Sequence, residues 1–124
     1  MNKKILVVDD EEIMRNLLND VLHFKGFEVL LSGEGKDALA QAKQHHPDLI
    51  ILDINMPGIS GCGVSTLLQQ CPETKAIPIL FLTGYLDKDE EDTIEGQLAG
   101  HYLLTKPFNN TELISLIERI LANN

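Results

Sequence analysis

The feature that most constrains this chain is an alternation. Five short apolar runs, "KILVVD" (4–9), "FEVLL" (27–31), "DLIILD" (48–53), "PILFL" (78–82) and "HYLL" (101–104), are separated by stretches of helical period. Runs of Val, Ile and Leu without polar alternation read as strands covered on both faces. Met14, Leu17, Leu18, Val21 and Leu22 form one helical stripe; Val64, Leu67, Leu68 and Cys71 form another at i, i+3, i+4, i+7. A weaker helix over 34–45 rests on Ala38, Leu39 and Ala42, and the last helix opens on Asn109 with Glu112 at capping-box spacing. Strand–helix alternation repeated five times predicts a doubly wound, five-stranded parallel sheet with right-handed crossovers and helices on both faces. No linker or repeat divides residues 1–124, so one α/β domain is expected.

Composition narrows the functions open to such a domain. A net charge of −9, with ten scattered basic residues, argues against direct binding to nucleic acid or to an anionic membrane. No apolar run approaches the ~20 residues that span a bilayer, and no signal-peptide pattern opens the chain, so a cytoplasmic setting is expected. Cys62 and Cys71, nine apart on one helix, would lie ~13 Å from each other, too far for a disulfide. His23, His45, His46 and His101 lack a convergent metal-ligand spacing.

The chemistry gathers at the strand ends. The first strand ends at Asp9-Asp10, the third at Asp53, the fourth at Thr83 and the fifth at Lys106. In open α/β sheets ligands bind beyond the carboxyl ends of the strands, where strand order reverses. With order 2-1-3-4-5 that point lies between strands one and three, so Asp9, Asp10 and Asp53 would share a crevice with Thr83 and Lys106 opposite. Two carboxylates ~4 Å apart repel by ~4 kcal/mol at an effective dielectric of ~20, so the cluster calls for a cation. Oxygen donors with one ammonium nearby suit Mg²⁺, and Mg²⁺ beside a hydroxyl and a lysine suits a phosphoryl group. Taken singly, each strand-end Asp also fits a turn or helix cap.

The segments "ILVVDDEE", "LIILDINMPGISG", "ILFLTGY" and "LLTKPF" closely resemble the signature segments of response-regulator receiver domains, the chemotaxis-regulator-like modules of two-component signalling. The resemblance covers essentially the whole chain and implies the flavodoxin-like (βα)5 fold. It implies that Asp53 is the phosphoacceptor, and that Asp10, Asp53 and the Asn55 backbone carbonyl bind Mg²⁺ (with Mn²⁺ as substitute), Asp9 acting through water. It further implies that Thr83 donates to the phosphoryl oxygen, that Lys106 pairs with Asp53 or the phosphoryl group, and that the Lys106–Pro107 peptide is cis. The donor would be the phosphohistidine of a histidine kinase or histidine phosphotransfer protein. The domain would catalyse only its own phosphorylation and dephosphorylation. Asn55 positioned to orient water, Gly84 leaving the phosphoryl group open and Tyr85 partly covering it lead to an expected phosphorylated lifetime of seconds to minutes.

The sequence departs from the family at its switch. Three residues before the lysine, where the family usually carries an aromatic, stands Leu103; Tyr102 lies one place earlier, and the preceding connection is one residue short. Either the strand shifts register to bring Tyr102 inward, or switching proceeds without an aromatic; the second is the preferred reading. The acid-rich segment 87–99 is expected to form a thinly anchored helix capped by Asp87, with Ile94 and Leu98 as its anchors. The last helix carries a wide apolar arc, Leu113, Ile114, Leu116, Ile117, Ile120 and Leu121, which is either deeply packed or part of an effector or self-association face spanning 87–121. Three rivals remain: a binding-only degenerate receiver, a flavin module, and a Mg-dependent phosphatase. The last would need a general acid where Asn55 stands; the flavin module would need a phosphate-cradling loop where "DDEEIM" is acidic.

Overall fold

The computed structural model describes residues 2–56, 58–84 and 102–123. Five strands, β1 (Lys4–Val8), β2 (Glu28–Ser32), β3 (Leu49–Asp53), β4 (Ile79–Thr83) and β5 (Tyr102–Thr105), form one sheet in the order β2-β1-β3-β4-β5. Every pairing is parallel. The described helices are α1 (Glu12–Phe24), α2 (Gly35–His45), α3 (Gly61–Gln70) and α4 (Asn110–Ala122). The helix expected over 87–99, with Asp87, Ile94 and Leu98, lies outside the described residues, as does Tyr85.

The unbroken apolar runs have a direct packing cause. Leu6, Val8, Ile50, Leu52, Ile79 and Phe81 point to one face, where Ala38 and Ala42 of α2 and Val64 and Leu68 of α3 cover them. Ile5, Val7, Leu49, Ile51, Leu80 and Leu82 point to the other, under Leu18 and Leu22 of α1 and four residues of α4. Central β3 and β4 are buried along their whole length, whereas the edge strands β2 and β5 are mostly half-buried. Such two-faced burial is what a parallel sheet requires.

Two helical stripes are narrower than their sequence pattern suggests. Leu17 and Leu67 are 49% and 39% exposed, because each helix needs only its i, i+4 pair against the sheet and the neighbouring position rotates outward. The α4 arc, by contrast, is turned inward: Leu113, Ile114, Ile117 and Ile120 are buried, and Leu116 and Leu121 pack beside them. Asn109 caps α4 by accepting the Glu112 N–H at 2.7 Å. The Glu112 carboxylate reaches back to the Asn109 side-chain amide at 3.1 Å rather than to its backbone N–H, a variant of the capping box. Cys62 and Cys71 are not joined in a disulfide, and both are half-buried. No described helix is long and apolar enough to cross a membrane.

Candidate functional site

Sheet register alone gathers the polar strand ends. Val8 pairs with Leu52, so Asp9 and Asp53, the next residues, sit side by side on the rim. Thr83 pairs with Thr105, and the Lys106 N–H donates to the Thr83 carbonyl at 2.7 Å, which brings Lys106 to the same rim from the other side. One carboxylate oxygen from each of Asp9, Asp10 and Asp53 lies within 4.8 Å of the others. The Lys106 Nζ stands 3.6 Å from Asp9 Oδ2, 3.9 Å from Asp53 Oδ1 and 4.0 Å from a Glu11 carboxylate oxygen. The Lys106–Pro107 peptide is cis.

The electrostatics of this cluster are incomplete. Asp9, Asp53 and Thr83 are buried, while Asp10 is exposed. Asp9 Oδ1 accepts the Glu11 N–H at 2.9 Å, but its Oδ2 is buried with no hydrogen-bond partner. Among the described residues, the Asp53 carboxylate accepts one long bond, 3.3 Å, from the Asn55 N–H. Burial pushes the Asp53 carboxyl up to about 6 and the charge on Asp9 adds to the rise; Lys106 and the Asn55 N–H oppose it, and Asp10 adds a smaller push upward. The orphaned Asp9 oxygen and the all-carboxylate donor set fit a hard, oxygen-seeking divalent cation, whose ligands lie about 2.1 Å away in Mg²⁺ sites. Among the described residues, one ammonium shared among three acids does not neutralise the cluster.

Close packing beneath Asp53 fixes its backbone. Ser60 caps α3 through the Gly63 N–H, and the Gly61 N–H donates to the Ile54 carbonyl at 3.0 Å. A Cβ on Gly61 would run into the Asp53 carbonyl oxygen, so only glycine lets α3 start this near the strand end. In the sequence this need shows only as the glycine that closes the "GISG" segment, a signal too common to single out Gly61. Glu11 likewise escaped notice as a partner of Lys106; the signal was the third acid of "DDE".

Strand register also separates the two candidate switch residues. Leu103 pairs with Phe81 and packs on the face that Thr83 continues. Tyr102 pairs with Leu80 and packs on the opposite face, towards α1 and α4. No described register shift carries Tyr102 towards Thr83.

Residues 5–118 match the family model described as "Response regulator receiver domain". The chain is 42% identical to the alkaline phosphatase synthesis transcriptional regulatory protein PhoP of Bacillus subtilis, over 100% of its own length and 50% of that protein's. It is 32% identical to the polar-differentiation response regulator DivK of Brucella ovis, with 99% of each covered. The chain thus spans about half of the first relative and nearly all of the second. Its fold superposes on the chemotaxis protein CheY4 of Vibrio cholerae with a TM-score of 0.88 at 30% identity, covering 97% of this chain and 99% of that one. A matching family model over nearly the whole sequence, joined to this sheet order and this rim of acids, makes the chain a member of the response regulator receiver domains of two-component systems.

Proposed function

We propose that this domain takes a phosphoryl group onto Asp53 from the phosphohistidine of a histidine kinase or histidine phosphotransfer protein, in the cytoplasm, and thereby changes its output surface. The observation that carries this reading is the buried Asp53 carboxylate held at a strand end beside Asp9, Asp10 and Lys106. An Asp53 carboxylate oxygen forms the new O–P bond as the P–N bond of the donor breaks, and the electron pair of that bond leaves with the imidazole. Lys106, 3.9 Å away, balances charge on Asp53 and then on the phosphoryl oxygens. Asp10, Asp53, the Asn55 carbonyl and, through water, Asp9 would hold Mg²⁺ or Mn²⁺. The bound cation would offset the carboxylate charge and that of the transferring group.

Thr83 is the hydroxyl proposed to follow the phosphoryl group once it is in place. With Leu103 on its face and Tyr102 on the other, the proposed switch works through aliphatic repacking rather than an aromatic rotamer. The domain acts only on itself and is not a conventional enzyme; Asn55 cannot serve as the general acid of a phosphatase.

Incubation with acetyl phosphate and Mg²⁺, followed by intact-mass measurement, tests the reading. Wild type should gain one phosphoryl group and Asp53→Asn none. No gain on wild type would favour a binding-only receiver.

A further inference from the structure

Arg15 closes the first turn of α1 with its side chain directed back to the acidic rim. Its Nη1 donates to the Asp9 backbone carbonyl at 2.7 Å. The Asp9 N–H is held on its other side by the Ser32 carbonyl at 3.1 Å, and Asp9 Oδ1 by the Glu11 N–H. Between them, these three bonds satisfy Asp9 everywhere except at Oδ2, the atom left facing the cluster. The bonded carbonyl belongs to the peptide joining Asp9 to Asp10. Asp10 is exposed, so little besides its backbone can orient its carboxylate towards Asp9 and Asp53.

Room for the guanidinium comes from the neighbouring loop. A Cβ on Gly33 would lie 2.9 Å from Arg15 Nη1 and 3.4 Å from its Cζ. The missing side chain after β2 and the long side chain from α1 are therefore complementary.

We infer that Arg15, seated against Gly33, is a positioning residue for the divalent-cation site: by holding the Asp9–Asp10 peptide it fixes the angle at which Asp10 meets Asp9 and Asp53. The inference rests on the proposed Mg²⁺ site. Charge and geometry pull in opposite directions here, which makes the role measurable. Losing a cation near three acids should by itself tighten divalent binding. Losing a positioning bond should weaken it, and partners one shell out from a metal typically matter at the level of about tenfold.

The test is calorimetric titration of Mg²⁺ into metal-free wild type, Arg15→Met, Arg15→Lys and Gly33→Ala, with urea unfolding of each in chelator. Arg15→Met should bind Mg²⁺ about tenfold more weakly. Gly33→Ala, which keeps the charge but crowds the guanidinium, should weaken binding in the same direction, and Arg15→Lys should recover part of the loss. Unfolding midpoints that fall while Mg²⁺ affinity stays at the wild-type value or rises would overturn the inference, leaving Arg15 a purely structural clamp. Wild type that fails to bind Mg²⁺ would overturn the proposed site itself, and this inference with it.

Discussion

Strand β3 has an aspartate at either end, and the two acids live under opposite conditions. Asp48, just before the strand, accepts the Lys4 N–H at 2.8 Å and returns its own N–H to the Lys4 carbonyl at 2.7 Å, half-buried and matched by the neighbouring strand. Asp53, the last residue, is buried with one long hydrogen bond and two further acids beside it among the described residues. The first acid completes the ladder at the base of the sheet. The second is buried in a place where the fold alone does not stabilise its charge. Uncompensated burial of an ionisable group, more than the presence of the group, marks the end of the sheet where chemistry is done.

The strongest challenge to that contrast is to make the same substitution at both ends. Asp53→Asn should abolish phosphorylation by acetyl phosphate and Mg²⁺, because the amide is no nucleophile, whereas Asp48→Asn should accept a full complement of phosphoryl groups by mass. Equal loss at both positions would erase the distinction. Next in size is Lys106→Met, which removes the one ammonium among the described residues that reaches Asp9, Glu11 and Asp53. The phosphorylation rate should fall about a hundredfold, the scale of losing one preorganised electrostatic partner. A loss below threefold in a rate assay would show that Lys106 is only a bystander at the rim.

Stability should separate the ends as well, with a definite pH sign. The Asp53 carboxyl is raised from 3.8 to about 6 in the fold, so between those values the folded chain binds the proton more tightly than the unfolded one. The ionised carboxylate therefore costs stability above about pH 6, and the cost fades as pH falls towards 4. At about 1.4 kcal/mol per pKa unit, metal-free Asp53→Asn should be more stable than wild type by about 2–3 kcal/mol at pH 7.5, with the gain shrinking to near zero at pH 4. Urea unfolding across that range checks it. Saturating Mg²⁺ should narrow the gap at pH 7.5, since binding to the native state favours wild type. A gain that grows on acidification would contradict the assignment of burial as the cause.

Much of this was legible in the sequence because it follows from periodicity. Unbroken Val/Ile/Leu runs bounded by helical stretches point to strands covered on both faces, whereas the order β2-β1-β3-β4-β5 came with the flavodoxin-like pattern that the family resemblance implies. Register then places Asp9, Asp53 and Lys106 together with no further assumption. What the sequence concealed depends on side-chain trajectories. Arg15 looked like one scattered basic residue because nothing in a helical stripe says that its guanidinium turns back to a carbonyl six residues earlier. The exposure of Leu17 and Leu67 was hidden for a similar reason: periodicity gives a stripe but not its width. Whether Tyr102 or Leu103 faces Thr83 is decided by a single step of register, which pattern alone left open.

The smallest expected effect completes the contrast, and its sign carries the information. In Asp48→Asn the side-chain oxygen can still accept the Lys4 N–H, so only the charge assistance of that bond is lost. A neutral bond in place of a charged one should lower stability by about 0.5–1 kcal/mol in urea unfolding at pH 7.5. Asp53→Asn, the same change of one oxygen for one NH₂ five residues along the chain, should move the midpoint the other way. Opposite signs from identical chemistry would show that the sheet has allotted its two terminal acids different work: one is stabilised by the fold, and the other is kept at the fold's expense for a cation and a phosphoryl group. Matching signs would mean that the two rims treat buried charge alike, and the electrostatic argument for Asp53 would lose its foundation.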